Sequence, residues 1–378
     1  LNRSVSIPAL GRRGFVAGAS TAVALCGCDS QRGPDTGERW ISAQGDDEDT
    51  YGLVIASADG RVRTLETGFR GHGVAVDPAD PNRAVMVGRR PGEYGVVADL
   101  TGARVRHRFE TVRHRRFGGH GCFTTDGSHF VTAELDVQTA EGTLAIRDAR
   151  TFELVGEVPT YGIGPHELAP MPDGRTFVVG NGGILTRPET GADKLNLDTM
   201  QSTLTYVDLS SGAMVSEHLV AEAKASIRHL AVAEDGTVIA VMQVQRDALQ
   251  DFEPRPLIAV QAPGGALKVL EDGLELGTVM HDYAGGVAFD ERTRRAAVTS
   301  PRGNLVAFWD VDTGRLVGQV AFDDVSGVTV SKTEAHFVLS GSGGQVRCID
   351  VDTLEDVSEA RVRFEGIRWD NHLLAVSS

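Results

Sequence analysis

The stretch Gly71-His72-Gly73-Val74-Ala75-Val76-Asp77 constrains the fold most, because the same element returns down the chain at intervals of roughly 40 to 60 residues. Its copies read Gly119-His120-Gly121-Cys122-Phe123, Gly164-Pro165-His166-Glu167-Leu168-Ala169 and Arg228-His229-Leu230-Ala231-Val232. Three more keep the apolar strand without the histidine: Gly285-Gly286-Val287-Ala288-Phe289-Asp290, Ser326-Gly327-Val328-Thr329-Val330 and Gly366-Ile367-Arg368-Trp369-Asp370. Each begins a unit of short β-branched strands, and the third strand of most units ends on an Asp followed by Thr, Ser or Gly. Examples are Ala98-Asp99-Leu100-Thr101-Gly102, Arg147-Asp148, Val207-Asp208, Trp309-Asp310 and Ile349-Asp350. These residues close tight turns between antiparallel strands. No long stretch has helical periodicity, so the chain reads as all-β.

Units of four strands at this period predict a seven-bladed β-propeller over residues 40–378, with the first strand of each blade lining a central channel. The last copy, at Gly366-Ile367-Arg368-Trp369-Asp370, has too little chain after it for three more strands. The runs at 40–44, 51–56 and 61–67 supply them, so N- and C-terminal strands should pair and close the ring. The turn entering each first strand and the loop between second and third strands share one face. His72, His120, His166 and His229 should therefore crowd one mouth of the channel. With them would lie the acidic run at 46–49, the loop holding Glu134, Asp136 and Glu141, the long insertion at 182–202, the loop at 243–256 and His281. His372, placed by this frame in the first hairpin of the closing blade, should face the opposite mouth.

Eleven histidines in 378 residues would put far fewer than one at seven equivalent positions by chance, against four found. Two readings follow. Imidazoles on inner strands can simply hydrogen-bond neighbouring blades. Neutral imidazoles converging from separate strands also make a site for iron, copper, zinc or nickel. Glu167, Cys122 and His281 are further candidate ligands, although Cys122 also suits a small core position. Arg228, Lys194, Asn196 and Asp198 are candidates for ligand contact or a lid. Arg70, Arg116 and Arg228 stand near the histidines and would suit an anion or a carboxylate-bearing metal chelate, or would pair with the acidic loops. No nucleophile elbow, phosphate loop, zinc-protease helix or haem motif appears in residues 29–378.

The formal charge of −15 argues against nucleic acid or an anionic membrane surface as partner, and is compatible with a cationic ligand or with a merely soluble acidic surface. Residues 1–28 have the features of an export signal: Arg12-Arg13-Gly14-Phe15, a short apolar run, then Leu25-Cys26-Gly27-Cys28. Cys28 is a candidate lipidation site, which would make a lipid anchor the chain's one membrane contact. Cleavage without lipidation is the alternative. Residues 29–39 read as a polar tether, and the destination of the rest is the periplasm. Cys122 and Cys348, on different repeats, are not expected to bridge.

Asn181-Gly182-Gly183-Ile184, Lys194-Leu195-Asn196-Leu197-Asp198-Thr199-Met200, Pro165-His166-Glu167, Thr299-Ser300-Pro301-Arg302-Gly303 and Trp369-Asp370-Asn371-His372-Leu373-Leu374 carry a further signal. With them the chain resembles a family of uncharacterised twin-arginine-exported, iron-regulated β-propeller proteins encoded beside imelysin-type lipoproteins. The chain departs from it at Arg187, where members carry His. The resemblance implies a periplasmic setting, iron or related metal supply, and an imelysin-type partner. The expectation is a non-enzymatic protein that binds iron or copper, as ion or complex, at the His-lined mouth and assists metal uptake. The alternatives are a scaffold for the imelysin-like partner and a metal-dependent enzyme.

Overall fold

Short apolar strands separated by Asx-type turns can bury both faces only by stacking sheet on sheet, and a ring of sheets leaves no long edge unpaired. The computed structural model, which describes residues 37–45, 50–190, 193–222 and 224–377, contains seven four-stranded antiparallel sheets. The expected export signal at 1–28 with Cys28, most of the tether and the acidic run at 46–49 lie outside the described residues. Blades 1 to 6 begin with the inner strands Gly71–Asp77, Arg115–Phe123, Pro165–Pro170, Ala225–Val232, Gly286–Asp290 and Val325–Val330, and each continues outward in chain order. Blade 7 takes its inner strand, Leu374–Ser377, from the C-terminus and the other three, Glu38–Gln44, Gly52–Ser57 and Val62–Glu66, from the N-terminal part. The family of turns read from the sequence is present: Asp99 accepts the backbone N–H groups of Thr101 and Gly102, Asp148 those of Arg150 and Thr151, and Asp208 those of Ser210 and Ser211.

The core lies between blades. Ile41, Leu53 and Ile55 of blade 7 pack on Ala84, Met86 and Val96 of blade 1, and similar layers repeat around the ring. One acidic residue assigned to a loop is a core residue instead. Glu134 is fully buried in the strand His129–Asp136, where Arg147 Nη2 donates to it at 2.7 Å. The Arg147 guanidinium stacks over Phe109 and Phe117, so this pair is part of the packing between blades 1 and 2.

The closing strand corrects the frame at the C-terminus. Gly366-Ile367-Arg368-Trp369-Asp370 is a connector, and the ladder on Glu38–Gln44 is made by Leu374–Ser377, with Ile41 opposite Leu374 and Glu38 opposite Ser377. The true repeat is His372-Leu373-Leu374-Ala375-Val376, which matches His72-Gly73-Val74-Ala75-Val76. His372 stands two residues before its inner strand, whereas His72, His120, His166 and His229 lie within theirs, yet its ring joins their group instead of the opposite mouth.

Candidate metal centre

Five inner-strand entrances deliver five histidines to one point of the channel. His72, His120, His166 and His229 are buried, and His372 is half-buried. The His372 ring lies 4.5 Å, centroid to centroid, from each of His72, His120 and His229. His166 is 5.1 Å from both His120 and His229 and 5.8 Å from His72. One ring nitrogen from each of His72, His120, His229 and His372 falls within 4.8 Å of all the others. Such an approach needs bare backbone: a Cβ at Gly73 would stand 2.7 Å from the carbonyl oxygen of Gly119 and 3.0 Å from His120 Nδ1.

Carboxylates hold the outer edges of these rings. Asp370 Oδ1 is 2.9 Å from His72 Nδ1. Burial would raise the Asp370 pKa, but the His72 hydrogen bond, the His72 and Arg89 charges and the Asn371 N–H hold it below its ordinary value. An ionised carboxylate only accepts, so His72 donates to it from Nδ1. Glu167 reaches two rings, with Oε2 3.1 Å from His229 Nδ1 and Oε1 3.5 Å from His120 Nδ1, and it accepts the Leu230 N–H at 2.8 Å. Burial pushes the Glu167 carboxyl up to about 8, opposed by the Leu230 N–H.

Burial is also the first cause that holds His120, His166, His229 and His372 well below the ordinary imidazole pKa. Neighbouring imidazoles add to it in all four, and Arg228 adds to it at His166 and His229. These four are therefore held as neutral imidazoles, the form that binds a metal. His72 Nε2 and His372 Nε2 are 3.3 Å apart, while His120 Nε2 and His166 Nδ1 are buried without a partner. Orphaned buried nitrogens are costly unless something occupies the space they face.

The cage separates two cavities. One, of about 680 Å³, is lined by His120, Glu167, His372 and Cys122 together with apolar inner-strand residues. The other, of about 440 Å³, opens on His72, His166 and His229 and is rimmed by Arg89, Arg90, Arg228 and Arg302. Cys122 sits below the cage, packed against the layer between blades 2 and 3, and burial first, then Glu167, raises its thiol pKa. It and Cys348 are free thiols.

The remaining candidates stand elsewhere. His281 is exposed on the turn before blade 5, and its neighbour Asp282 pairs with Arg246. Arg228 is on the cup rim, where Nη2 donates to Gln243 Oε1 at 2.9 Å. Lys194, Asn196 and Asp198 do not line the cup. Asn196 instead pins the insertion to itself, accepting the Leu185 N–H and donating to the Gly183 carbonyl, both at 2.8 Å, and Lys224 Nζ donates to the carbonyl of Asp198. The insertion leaves blade 3 beside Gly164, where Gly182 donates to the Gly164 carbonyl, and meets blade 4 through Ser226, whose hydroxyl donates to the Gly182 carbonyl. Arg116 pairs with Glu93, and Arg70 approaches Asp370 at 3.7 Å. Sequence reasoning missed His372, Asp370 and the arginines at 89, 90 and 302. The first was legible from the His-x-apolar-Ala pattern; the others carry no periodic signal.

The family model described as protein of unknown function (DUF1513) matches residues 65–376, and the chain belongs to that family. No curated protein matches the chain. Among solved structures, a chain titled Kuenenia stuttgartiensis hydrazine synthase is similar with a TM-score of 0.65 at 16% identity, over 89% of this chain and 100% of that one. At that identity the likeness bears on the fold alone.

Proposed function

For this family member we propose a non-enzymatic role, in which the histidine cage binds iron or copper and the protein assists metal uptake in the periplasm. The observation that carries the reading is the convergence of five imidazoles from five blades, with four ligand nitrogens within 4.8 Å of one another. Imidazole suits first-row metals of this kind. Two nitrogens each about 2.0–2.1 Å from a tetrahedral ion are roughly 3.3–3.4 Å apart, close to the 3.3 Å between His72 Nε2 and His372 Nε2. Asp370 and Glu167 add the outer carboxylates that orient metal-binding histidines and raise their basicity. Without a ligand the arrangement is expensive, since it buries nitrogens that make no bond. The periplasmic setting rests on the signal-like residues 1–28, and an imelysin-type partner rests on the family resemblance.

The test is metal analysis of protein recovered from the periplasm, together with titration of the desalted protein with Cu(II) and Fe(II). A single tightly held equivalent is expected in the parent and in His281→Ala, and none in the combined His72→Ala, His120→Ala, His229→Ala and His372→Ala variant. A parent that takes up neither metal, or a combined variant that takes up as much, would sink the reading. A metal-dependent enzyme is the second reading, favoured by the cavity that opens directly on His72, His166 and His229, because catalytic ions keep a position open to substrate. Metal-dependent turnover lost on single cage substitutions would replace the binding role.

A further inference from the structure

The cup outside the cage has a charge opposite to that of the whole chain. The protein carries −15 overall, yet four arginines and no Asp or Glu line this cavity. Some arginines elsewhere, such as Arg63, Arg108 and Arg295, donate to backbone carbonyls, and many are matched to carboxylates, as Arg246 is to Asp282, Arg294 to Asp312 and Arg347 to Asp356. In the cup only Arg89 comes near one, at 3.8 Å from an Asp370 already engaged by His72. Among the described residues Arg90, Arg228 and Arg302 form no ion pair. Arg302 stacks on Tyr283 at 4.6 Å from the ring centroid, and Arg228 has a single side-chain hydrogen bond, to Gln243.

Two buried polar atoms on cup-lining side chains have no partner, Arg228 Nε and His166 Nδ1. Crowded cations that also lose water raise the free energy of the charged state. A protein gains nothing in stability by holding like charges together in this way. Anion recognition gives the arrangement a reason, since planar guanidinium forks bind carboxylates in pairs of parallel hydrogen bonds. The cavity, at about 440 Å³, has the size of a small-molecule site and is roomier than a single tetrahedral oxyanion needs.

We propose that this cup binds a small polycarboxylate, with Arg90 and Arg228 as its principal contacts, Arg302 at the outer rim and Arg228 Nε and His166 Nδ1 as the inner donors. The site does not require the cage to be loaded. A polycarboxylate held there would lie against His72, His166 and His229, the side from which a metal chelate would reach the imidazoles.

The experiment is calorimetric titration of the full-length protein with tricarballylate, a tricarboxylate that lacks a chelating hydroxyl, with inorganic phosphate and acetate as comparisons. It is run on desalted metal-free protein and on copper-treated protein, with metal content measured in parallel. Saturable tricarballylate binding is expected, weakened by added salt and at least tenfold weaker in Arg90→Gln and Arg228→Gln, with acetate binding far less. Arg302→Gln, at an exposed position where folding is not at issue, should weaken it by a smaller factor, and Arg150→Gln, on a distant turn, should leave it unchanged. Absence of binding, equal affinity in the cup variants, or a preference for phosphate over tricarballylate would overturn the proposal. The two readings fail separately, because loss of metal uptake with retained tricarballylate binding removes the cage reading alone.

Discussion

Blades 7 and 1 to 4 send a histidine into the channel, whereas blades 5 and 6 present Gly285 and Ser326 at the equivalent positions. The difference could pass for simple loss of the motif on one side of the ring. The packing says otherwise. A Cβ at Gly286 would lie 3.4 Å from the carbonyl of Asn371, and one at Gly327 would lie 2.9 Å from Leu373 Cβ. Asn371 Nδ2 also donates to Tyr283 Oη, on the turn that enters blade 5. The segment that carries His372 therefore leans into the space left by the two small-residue blades, which brings its ring within 4.5 Å of three other histidines. Small residues on one arc make the cluster on the other arc possible, and the two halves form one device.

The comparison breaks most severely if the empty arc is filled. Gly327→Val puts methyl groups against Leu373 and Ser340, an overpacking expected to cost about 1–3 kcal/mol, and it should displace His372. Lower stability in urea together with weakened copper uptake is expected; full metal affinity in a destabilised Gly327→Val protein would show that the arcs are independent. Next in size is the carboxylate behind the cage: Glu167→Gln should weaken metal affinity by about 10–100-fold while the fold holds, measured by competition with a chromogenic chelator.

A smaller effect separates the arcs by pH. Below about 6.5 the unfolded chain gains protons on histidines that the folded cage keeps neutral at 120, 166, 229 and 372. The unfolded state then binds more protons, so stability falls as pH drops through that window. Glu167, raised to about 8, acts oppositely because the folded state holds a proton there that the unfolded carboxylate has released. Four sites against one leave metal-free protein less stable at pH 5 than at pH 7, a difference that thermal unfolding scans would register, and an unchanged or higher midpoint at pH 5 would contradict it. The least consequence belongs to Ser326→Ala. Its hydroxyl makes one long bond, 3.4 Å to the carbonyl of Ser340, so stability should change by less than about 1 kcal/mol and metal uptake not at all; a marked change in either measurement would mean that the small arc acts by more than its size.

Much of the molecule was legible in its residues. Repeated Gly-His-Gly strands and Asp-Thr-Gly turns are local signals, since turn chemistry and strand alternation depend on neighbours in the chain, and they led to seven blades, a closed ring and four of the five histidines. Gly366-Ile367-Arg368-Trp369-Asp370 sets the closing frame six residues early, at 366 instead of 372, because Trp369-Asp370 mimics the strand end Phe289-Asp290, and that frame puts His372 at the wrong mouth. Glu134 read as a loop acid, because sequence does not tell a solvated carboxylate from one covered by Arg147.

The sequence by itself determined the period, the blade count and which of blades 1 to 6 carry imidazoles, because those follow from covalent order and local backbone preference. Tertiary structure alone decided that five rings meet, that Asp370 and Glu167 hold their outer edges and that Arg89, Arg90, Arg228 and Arg302 share one cup. These residues lie up to 300 positions apart, and only ring closure fixes the distances and burial on which their electrostatics depend.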